Sequence, residues 1–417
     1  MIKLLIFLII IIIVIILLTT LNNLQDTMIP KTKVTTIPII YLDNNGTTKI
    51  FNESLQLMDY IYKHYYGNAS GVYKLGSKSK KLLETCRNRL AKMLQCAACE
   101  IYFTSGATES NNIAIRGVFS KHLQKGKHIV TTTIEHPSVD ETVKSLHGAD
   151  VTFVPVDKYG KLDLLELENA IRPDTILVTV IMGNNEIGTL QNIRGISEIC
   201  KRKKVHFHCD MTQVIGKYKI DLTELGVDSA TGSGHKFHGP KACGFLFLKK
   251  GVYFDSCQTG GHQEKNIRAG TENIPGIVGM TYSLYLCYQR LDKGQDIEIK
   301  EMRDWIKEIL QAYIPGSIVN GHPEDQMYNT LSMCLPVSSR KLINLLDNHD
   351  ICINTGSACS KGKTSQVLDA IGVPLHLQEG SIRMSLGFMN TFDECRTAVK
   401  YIIHYYNELL KNQKTKV

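Results

Sequence analysis

A single cysteine, Cys359, lies among residues with small side chains in the stretch NTGSACSKGK at 354–363. Its glycine, serine and alanine neighbours offer the thiol little apolar packing, and we expect a chain that is free to move. A thiol reacts as a nucleophile once it is deprotonated. We therefore interpret Cys359 as a candidate nucleophile on a loop.

A lysine with polar neighbours occurs in SGHKFHGPKACG at 233–244. Lys236 stands between His235 and a glycine-proline turn, and its ordinary interpretation is a surface turn residue. A lysine that forms a Schiff base also needs a fixed backbone and nearby hydroxyl, imidazole and amide groups that hold an anionic cofactor. Ser233 and His235 could provide such groups.

The run KVHFHCD ends in Asp210, and Gln213 follows closely. His206, His208 and Asp210 would share one face of a strand, which could suggest a metal site. No further carboxylate or cysteine is spaced to join them, so we predict no metal. The simpler interpretation is that Asp210 is a carboxylate at a strand end that pairs with a cationic group.

The turn TSGATES at 104–110 leaves the strand-like run EIYF and enters a helix. Gly106 permits a tight turn, and the amides of Ala107 and Thr108 would lie at a helix N-terminus, which binds anions such as phosphate. Taken alone, this signal is shared by many strand-to-helix turns. A lysine, an acid and a phosphate cradle are together what pyridoxal phosphate requires.

Short β-branched or aromatic runs alternate with helix-length stretches from about residue 77, including HIVTTT, VTFVPV, TILVTVIM and CGFLFLKK. This pattern predicts an α/β fold with a mostly parallel sheet and helices on both faces. Sites in such sheets lie beyond the carboxyl ends of the strands. After about residue 290, helical segments flank short strands, which predicts a smaller α+β domain.

The bulk composition is that of an ordinary globular protein of 417 residues, with a net charge of +8 that is spread along the chain. Nucleic-acid binding is therefore a weak alternative. The 12 cysteines are irregularly spaced and indicate reduced thiols, and the isolated Cys96 and Cys99 pair is more typical of a helix end than of zinc.

The N-terminus carries an unbroken apolar run from Leu4 to Leu18. We predict a membrane anchor at residues 1–21, followed by a linker at 22–37, a large domain at 38–290 and a small domain at 291–417 that carries Cys359. A cleaved signal peptide is the main alternative, but no small-x-small cleavage site follows the run. The catalytic part would face a reducing compartment, either cytoplasm or matrix-like.

The ordered motifs YLDNNGTT, TSGATES, EHPSV, NNEIG, DMTQ, SGHKFHGPK, IRAGTEN, GSACS and IRMSLG resemble the cysteine desulfurases, within the class V aminotransferase group of pyridoxal phosphate enzymes. The resemblance covers nearly the whole chain after the linker. It implies the two-domain fold of this enzyme group, called fold type I.

The resemblance also implies a role for each matching residue. Lys236 would hold the cofactor covalently, Asp210 would pair with its pyridine nitrogen, and Gln213 would hydrogen-bond its ring hydroxyl. His136 would stack on the ring and assist proton transfers, while Asn185 would contact the ring or the substrate. Arg383 would clamp the substrate carboxylate. The phosphate would be bound by Ala107, Thr108, Ser233, His235 and, from a second subunit of a homodimer, Thr271.

The implied reaction converts L-cysteine to L-alanine and leaves the sulfur on Cys359 as a persulfide. Cys359 would lose its proton to His136 or to another base of the site. The sulfur would pass to an acceptor protein for iron-sulfur cluster assembly or tRNA thiolation. A selenocysteine lyase, another class V enzyme without need of Cys359, and an inactive membrane-tethered scaffold are the alternatives.

Overall fold

A seven-stranded sheet forms the centre of the larger lobe in the computed structural model, which describes residues 39–356 and 365–414. Its strand order is β2-β8-β7-β6-β5-β3-β4. Only β8 runs antiparallel to its neighbours, so the predicted mostly parallel sheet is confirmed. The strands of the described chain are β1 Ile40–Tyr41, β2 Ile101–Thr104, β3 His128–Thr132, β4 Asp150–Val154, β5 Thr175–Ile181, β6 His206–Asp210, β7 Ser229–Ser233, β8 Gly244–Leu248, β9 Ile318–Asn320, β10 Thr330–Cys334, β11 Ile351–Cys352 and β12 Ser381–Ser385.

Helices cover both faces of this sheet. Val130 and Val178 pack into one apolar core, whereas their neighbours Ile129 and Leu177 point to a second core on the other face. This alternation follows from the period of two along a strand. The α-helices are Asn52–His64, Lys74–Met93, Ala107–His122, Pro137–Lys144, Leu164–Ala170, Ile193–Lys203, Leu222–Leu225, Ile274–Leu291, Gln295–Tyr313, Ser339–Asp347, Gln366–Ala370, Leu375–Gln378 and Phe392–Lys414. Short 3₁₀ helices are Ala98–Glu100, Gly234–Lys236 and Gln263–Asn266.

The smaller lobe is built on the antiparallel sheet β9-β10-β12. Helices Gln295–Tyr313, Ser339–Asp347 and Phe392–Lys414 bury their apolar faces in its core. The start of the described chain belongs to the same core, because β1 pairs with β11 and Leu42 is fully buried there. The domain bounds of 38–290 and 291–417 stay a prediction.

The predicted membrane-anchored localisation is corrected. Within residues 39–356 and 365–414, no helix is long and apolar enough to cross a bilayer. The segment on which the prediction was placed, residues 1–21, lies outside the described residues, as does the predicted linker at 22–37.

Candidate active site

A cavity of about 500 Å³ opens where the larger lobe's parallel strands end. It receives side chains that follow β2, β3, β5, β6 and β7, together with a residue of β12 from the smaller lobe. The predicted site residues that line it are Ala107, Thr108, His136, Asn185, Asp210, Gln213, Ser233, His235, Lys236 and Arg383. The structure therefore brings together side chains that are up to 276 positions apart, from Ala107 to Arg383.

Lys236 is placed by β7 and the 3₁₀ helix that follows this strand. Its Nζ donates hydrogen bonds to the carbonyl oxygens of Asn45, at 2.7 Å, and Gly46, at 2.8 Å. Both carbonyls belong to the loop after β1. The amine is thus fixed at the cavity wall by backbone acceptors, which can later release it to another partner.

Asp210 ends β6 and is almost completely buried, at 2% exposure. Burial would raise its pKa, but the nearby His136 ring and hydrogen bonds from Thr212 and Asn111 hold the pKa below its usual value. The carboxylate therefore stays ionised at the cavity floor. It can pair there with a protonated ring nitrogen.

His136 begins helix Pro137–Lys144, and its Nδ1 accepts a hydrogen bond of 3.0 Å from the amide of Ser138. Burial lowers the pKa of His136. The negative charge of Asp210 opposes this shift, and the positive charge of Lys236 lowers the pKa further. The neutral ring must then carry its proton on Nε2, because an amide N–H can only donate. His136 is thus arranged as a proton donor. This geometry favours another group of the site as the base for Cys359.

The turn at Gly106 forms a cradle at the N-terminus of helix Ala107–His122. Gly106 has φ +149°, and an added Cβ would come within 3.4 Å of Ser233 Oγ. His235 completes this side of the cavity; burial and nearby lysines, Lys236 first, lower its pKa to about 4. Free helix amides, a hydroxyl and a neutral imidazole are suited to an anion.

Arg383 lies on β12 with 2% of its surface exposed. One terminal nitrogen donates to Asp43 Oδ1 at 2.6 Å, and the other donates to the carbonyl oxygen of Asn185 at 3.0 Å. Its Nε has no hydrogen-bond partner among the described residues. The guanidinium is therefore held in place by the protein and retains donor capacity toward a carboxylate.

These groups fit pyridoxal phosphate. A carboxylate that stays ionised despite burial suits the cofactor's cationic nitrogen, and the glycine cradle leaves room that a Cβ would narrow. The described residues contain no cluster of three or more histidine, cysteine, aspartate or glutamate side chains that could hold a metal ion.

Comparison with known proteins assigns the chain to one family. A family model described as Aminotransferase class-V matches residues 40–397. The chain belongs to the class V aminotransferase family. The pyridoxal phosphate dependence of this family agrees with the donor set of the cavity.

Relatives within the class V family share most of the chain. A protein named cysteine desulfurase IscS from Methanosarcina thermophila is 42% identical over 360 residues, which are 85% of this chain and 89% of the relative. A solved structure of a NifS-like protein has a TM-score of 0.84 and 35% identity, over 89% of this chain and 100% of that one. A structure described as SspA in complex with cysteine has a TM-score of 0.73 and 28% identity, over 83% and 98% of the two chains.

Two predicted site residues of this class V chain are not placed in the cavity. Cys359 lies outside the described residues. Thr271 is exposed and does not line the cavity of its own chain. Its role through a second subunit stays a prediction.

Sequence reasoning missed several cavity residues of the class V chain. Asn45, Thr47, Glu109 and Lys241 also line the cavity. Asn45 contributes its backbone carbonyl to Lys236, and a backbone contact leaves no signal in residue type. The motif YLDNNGTT marked this loop, but it did not show which atoms would face the site.

Proposed function

We propose that this chain is a pyridoxal phosphate-dependent cysteine desulfurase that transfers the sulfur of L-cysteine to Cys359 and releases L-alanine. The observation that carries the proposal is one cavity that joins the Lys236 amine, the ionised Asp210, a helix N-terminus and Arg383. The names of the relatives support the same activity. They do not favour a selenocysteine lyase or an inactive scaffold.

The residues that would hold the cofactor divide by the part they bind. Lys236 would bind it covalently, Asp210 would pair with the ring nitrogen, and Gln213 and His136 would contact the ring. The phosphate would lie against Ala107, Thr108, Ser233 and His235. The bound cofactor supplies an electron sink for a negative charge that develops at the substrate Cα.

The substrate would be held by its carboxylate. Arg383 offers a planar fork that is already oriented by Asp43, and such forks bind carboxylates with two parallel hydrogen bonds. Asn185 lies beside it and would contact the substrate or the ring. Lys236 Nζ is the group that would take the proton from Cα.

Sulfur transfer would require Cys359 as a thiolate. Its Sγ would attack the substrate sulfur, so that an S–S bond forms while the Cβ–S bond breaks and its electron pair passes to carbon. His136 can supply a proton from Nε2 to the organic product, which leaves as alanine. An unperturbed cysteine is only about 3% ionised at pH 7, so the site must also favour the thiolate.

Three further assignments complete the proposal. Thr271 of one subunit would join the phosphate site of the other in a homodimer, and its exposure is consistent with contact to a second chain. An iron-sulfur scaffold or a tRNA-thiolation enzyme would accept the sulfur, without direct contact with nucleic acid. Separate apolar cores support a division into a cofactor-binding domain at 38–290 and a small domain at 291–417, except that Ile40 and Leu42 of the first range pack into the core of the small domain.

The proposal is tested with the full-length protein, pyridoxal phosphate and L-cysteine. We expect stoichiometric alanine and sulfide release in the presence of a thiol reductant. Lys236→Ala should abolish alanine formation, whereas Lys219→Met, at an exposed lysine that pairs with Asp292, should not change it. A yellow, cofactor-loaded wild type that forms no alanine would contradict the proposal.

A further inference from the structure

A buried lysine, Lys217, lies directly behind the cavity wall and has only 6% of its surface exposed. Its Nζ donates to Gln213 Oε1 at 2.8 Å, to the Gln213 carbonyl oxygen at 2.9 Å and to Asn45 Oδ1 at 3.2 Å. No acidic side chain among the described residues forms an ion pair with it. Burying a lysine amine among neutral acceptors costs free energy of folding, so we expect a role that offsets this cost.

The contacts of Gln213 allow only one orientation of its amide. Gln213 Nε2 donates to the carbonyl oxygen of Asn45 at 3.0 Å, and a carbonyl can only accept. Gln213 Oε1 must then face Lys217, which can donate to it. The remaining N–H of the amide is left for the cavity, which Gln213 lines.

The side chain of Asn45 is fixed in the same way. Its Nδ2 donates to the carbonyl oxygen of Asn185 at 3.2 Å and to Thr330 Oγ1 at 2.9 Å. Asn45 Oδ1 therefore turns toward Lys217. Three acceptors thus surround Lys217 Nζ, which donates to both side chains. Burial and the nearby charges of Lys236 and Arg383 lower the pKa of Lys217 well below its usual value, so the amine holds these side chains through its N–H groups rather than through a fixed charge.

We propose that Lys217 is a positioning residue that locks the Gln213 amide with an N–H directed into the cavity, toward the ring oxygen of the cofactor. The assignment rests on the proposed cofactor site. A carbonyl turned to the same place would repel that oxygen, whereas an N–H stabilises its anionic form. Asn45 links this lock to the catalytic amine, because its carbonyl oxygen also accepts from Lys236.

The test is the pH midpoint of the visible-absorption change of the bound cofactor. Lys217→Met keeps a similar volume but removes every N–H donor at this position. Loss of the fixed N–H makes the ring oxygen more basic, so the midpoint should rise by about one pH unit. Lys219→Met, two positions away at the surface, should keep the wild-type midpoint.

A double-mutant comparison separates this role from a general charge effect. Gln213→Leu should raise the midpoint by a similar amount, and Lys217→Met combined with Gln213→Leu should add little to either change. Fully additive shifts would overturn the proposal, as would a Lys217→Met protein with lower thermal stability and an unchanged midpoint.

Three further outcomes also test the role of Lys217. If Lys217→Met does not fold, Lys217→Gln retains one donor in a shorter side chain and should show a smaller rise; no rise in that variant would contradict the proposal. The readout does not depend on turnover, so an inactive wild type that binds the cofactor would refute the desulfurase and still test Lys217. A wild type without any cofactor band would refute both.

Discussion

At the scale of single residues, two carboxyl groups near the cavity floor are kept in different protonation states. Asp210 stays ionised because His136 and hydrogen bonds outweigh the cost of burial. Glu135 accepts hydrogen bonds from Thr132 and from the Ile181 amide, but burial raises its pKa to about 8. Of these two carboxyl groups, Asp210 alone is therefore charged at neutral pH.

Glu135 should make the stability of the protein depend on pH. Its unfolded pKa is near 4.5, so above that value the unfolded chain releases a proton that the folded chain keeps until about pH 8. Stability is thus lost as pH rises through this window, by on the order of a few kcal/mol in total. Glu135→Gln should therefore be stabilised relative to wild type at pH 8.5 and little changed at pH 5, by guanidinium unfolding.

The matched control for this prediction is Glu141→Gln, at an exposed position of the following helix. It should give the same small difference from wild type at both pH values. An equal effect of Glu135→Gln at pH 5 and pH 8.5 would show that burial does not hold this carboxyl neutral.

At the scale of elements, the proposed phosphate cradle depends on the close approach of two backbones. Gly106 precedes helix Ala107–His122, and a Cβ on Gly244, at the start of β8, would lie 2.6 Å from Gly106 Cα. The turn therefore needs glycine at position 106 for its φ of +149°, and glycine at position 244 for this close approach. The helix N-terminus is open to an anion only while this turn keeps its path.

Gly106→Ala should weaken cofactor binding because it strains the turn and narrows the cradle. We expect the dissociation constant of pyridoxal phosphate to rise at least about tenfold, and stability to fall by roughly 1–3 kcal/mol. Both are measured on apo-protein, by absorbance titration and by chemical unfolding. Gly251→Ala, which also strains a positive φ but meets no atom within 4 Å, should lose stability and keep its affinity. Equal affinity in both variants would contradict the role of the cradle.

Most of the sheet could be predicted from the sequence because its strands are rich in β-branched and aromatic residues. The strand β7, with the sequence SATGS, was not predicted, although Lys236 follows it closely. Its small residues have no strand-like pattern, and they are buried between β6 and β8 by tertiary packing. The pairing of β1 with β11 was also hidden, since it joins segments about 310 positions apart.

The site residues were predictable where side-chain chemistry is characteristic, as for Lys236, Asp210 and the cradle. Arg383 was assigned only through the resemblance, because a lone arginine has no distinguishing pattern. Asp43 forms an ion pair with Arg383, and the carbonyl oxygen of Asn45 accepts a hydrogen bond from Lys236. Lys217 donates a hydrogen bond to Gln213 behind the cavity wall. Such supporting roles depend on three-dimensional proximity, which spacing in the sequence does not encode.

At the scale of the whole molecule, the cavity is closed by contributions from both lobes. The loop after β1 brings Asp43 and Asn45 from the smaller-lobe side, where they contact Arg383 and Thr330. The larger lobe supplies the lysine, the acid and the cradle. Arg383, which we propose binds the substrate carboxylate, and most of the proposed cofactor-binding residues therefore lie on different lobes of one chain. The proposed homodimer would add Thr271 to each site from the other subunit.

Hybrid dimers test whether Thr271 acts across subunits. Co-expressed Lys236→Ala and Thr271→Asp chains should pair into hybrids in which one site has both wild-type residues and the other has both changes. We expect roughly a quarter of wild-type activity, because half of randomly paired dimers are hybrids and each has one intact site. Inactivity of the mixture, with each single variant inactive, would show that Thr271 does not serve the partner's site.

The most direct test of the desulfurase assignment is the mass of Cys359 after one turnover. Full-length, cofactor-loaded protein is mixed with L-cysteine without reductant, the product alanine is counted, and the peptide that contains Cys359 is weighed. We predict one added sulfur atom on Cys359 for each alanine formed, and neither product in Cys359→Ala. Alanine formed at the wild-type rate by Cys359→Ala, or sulfur found only on other cysteines, would contradict the account.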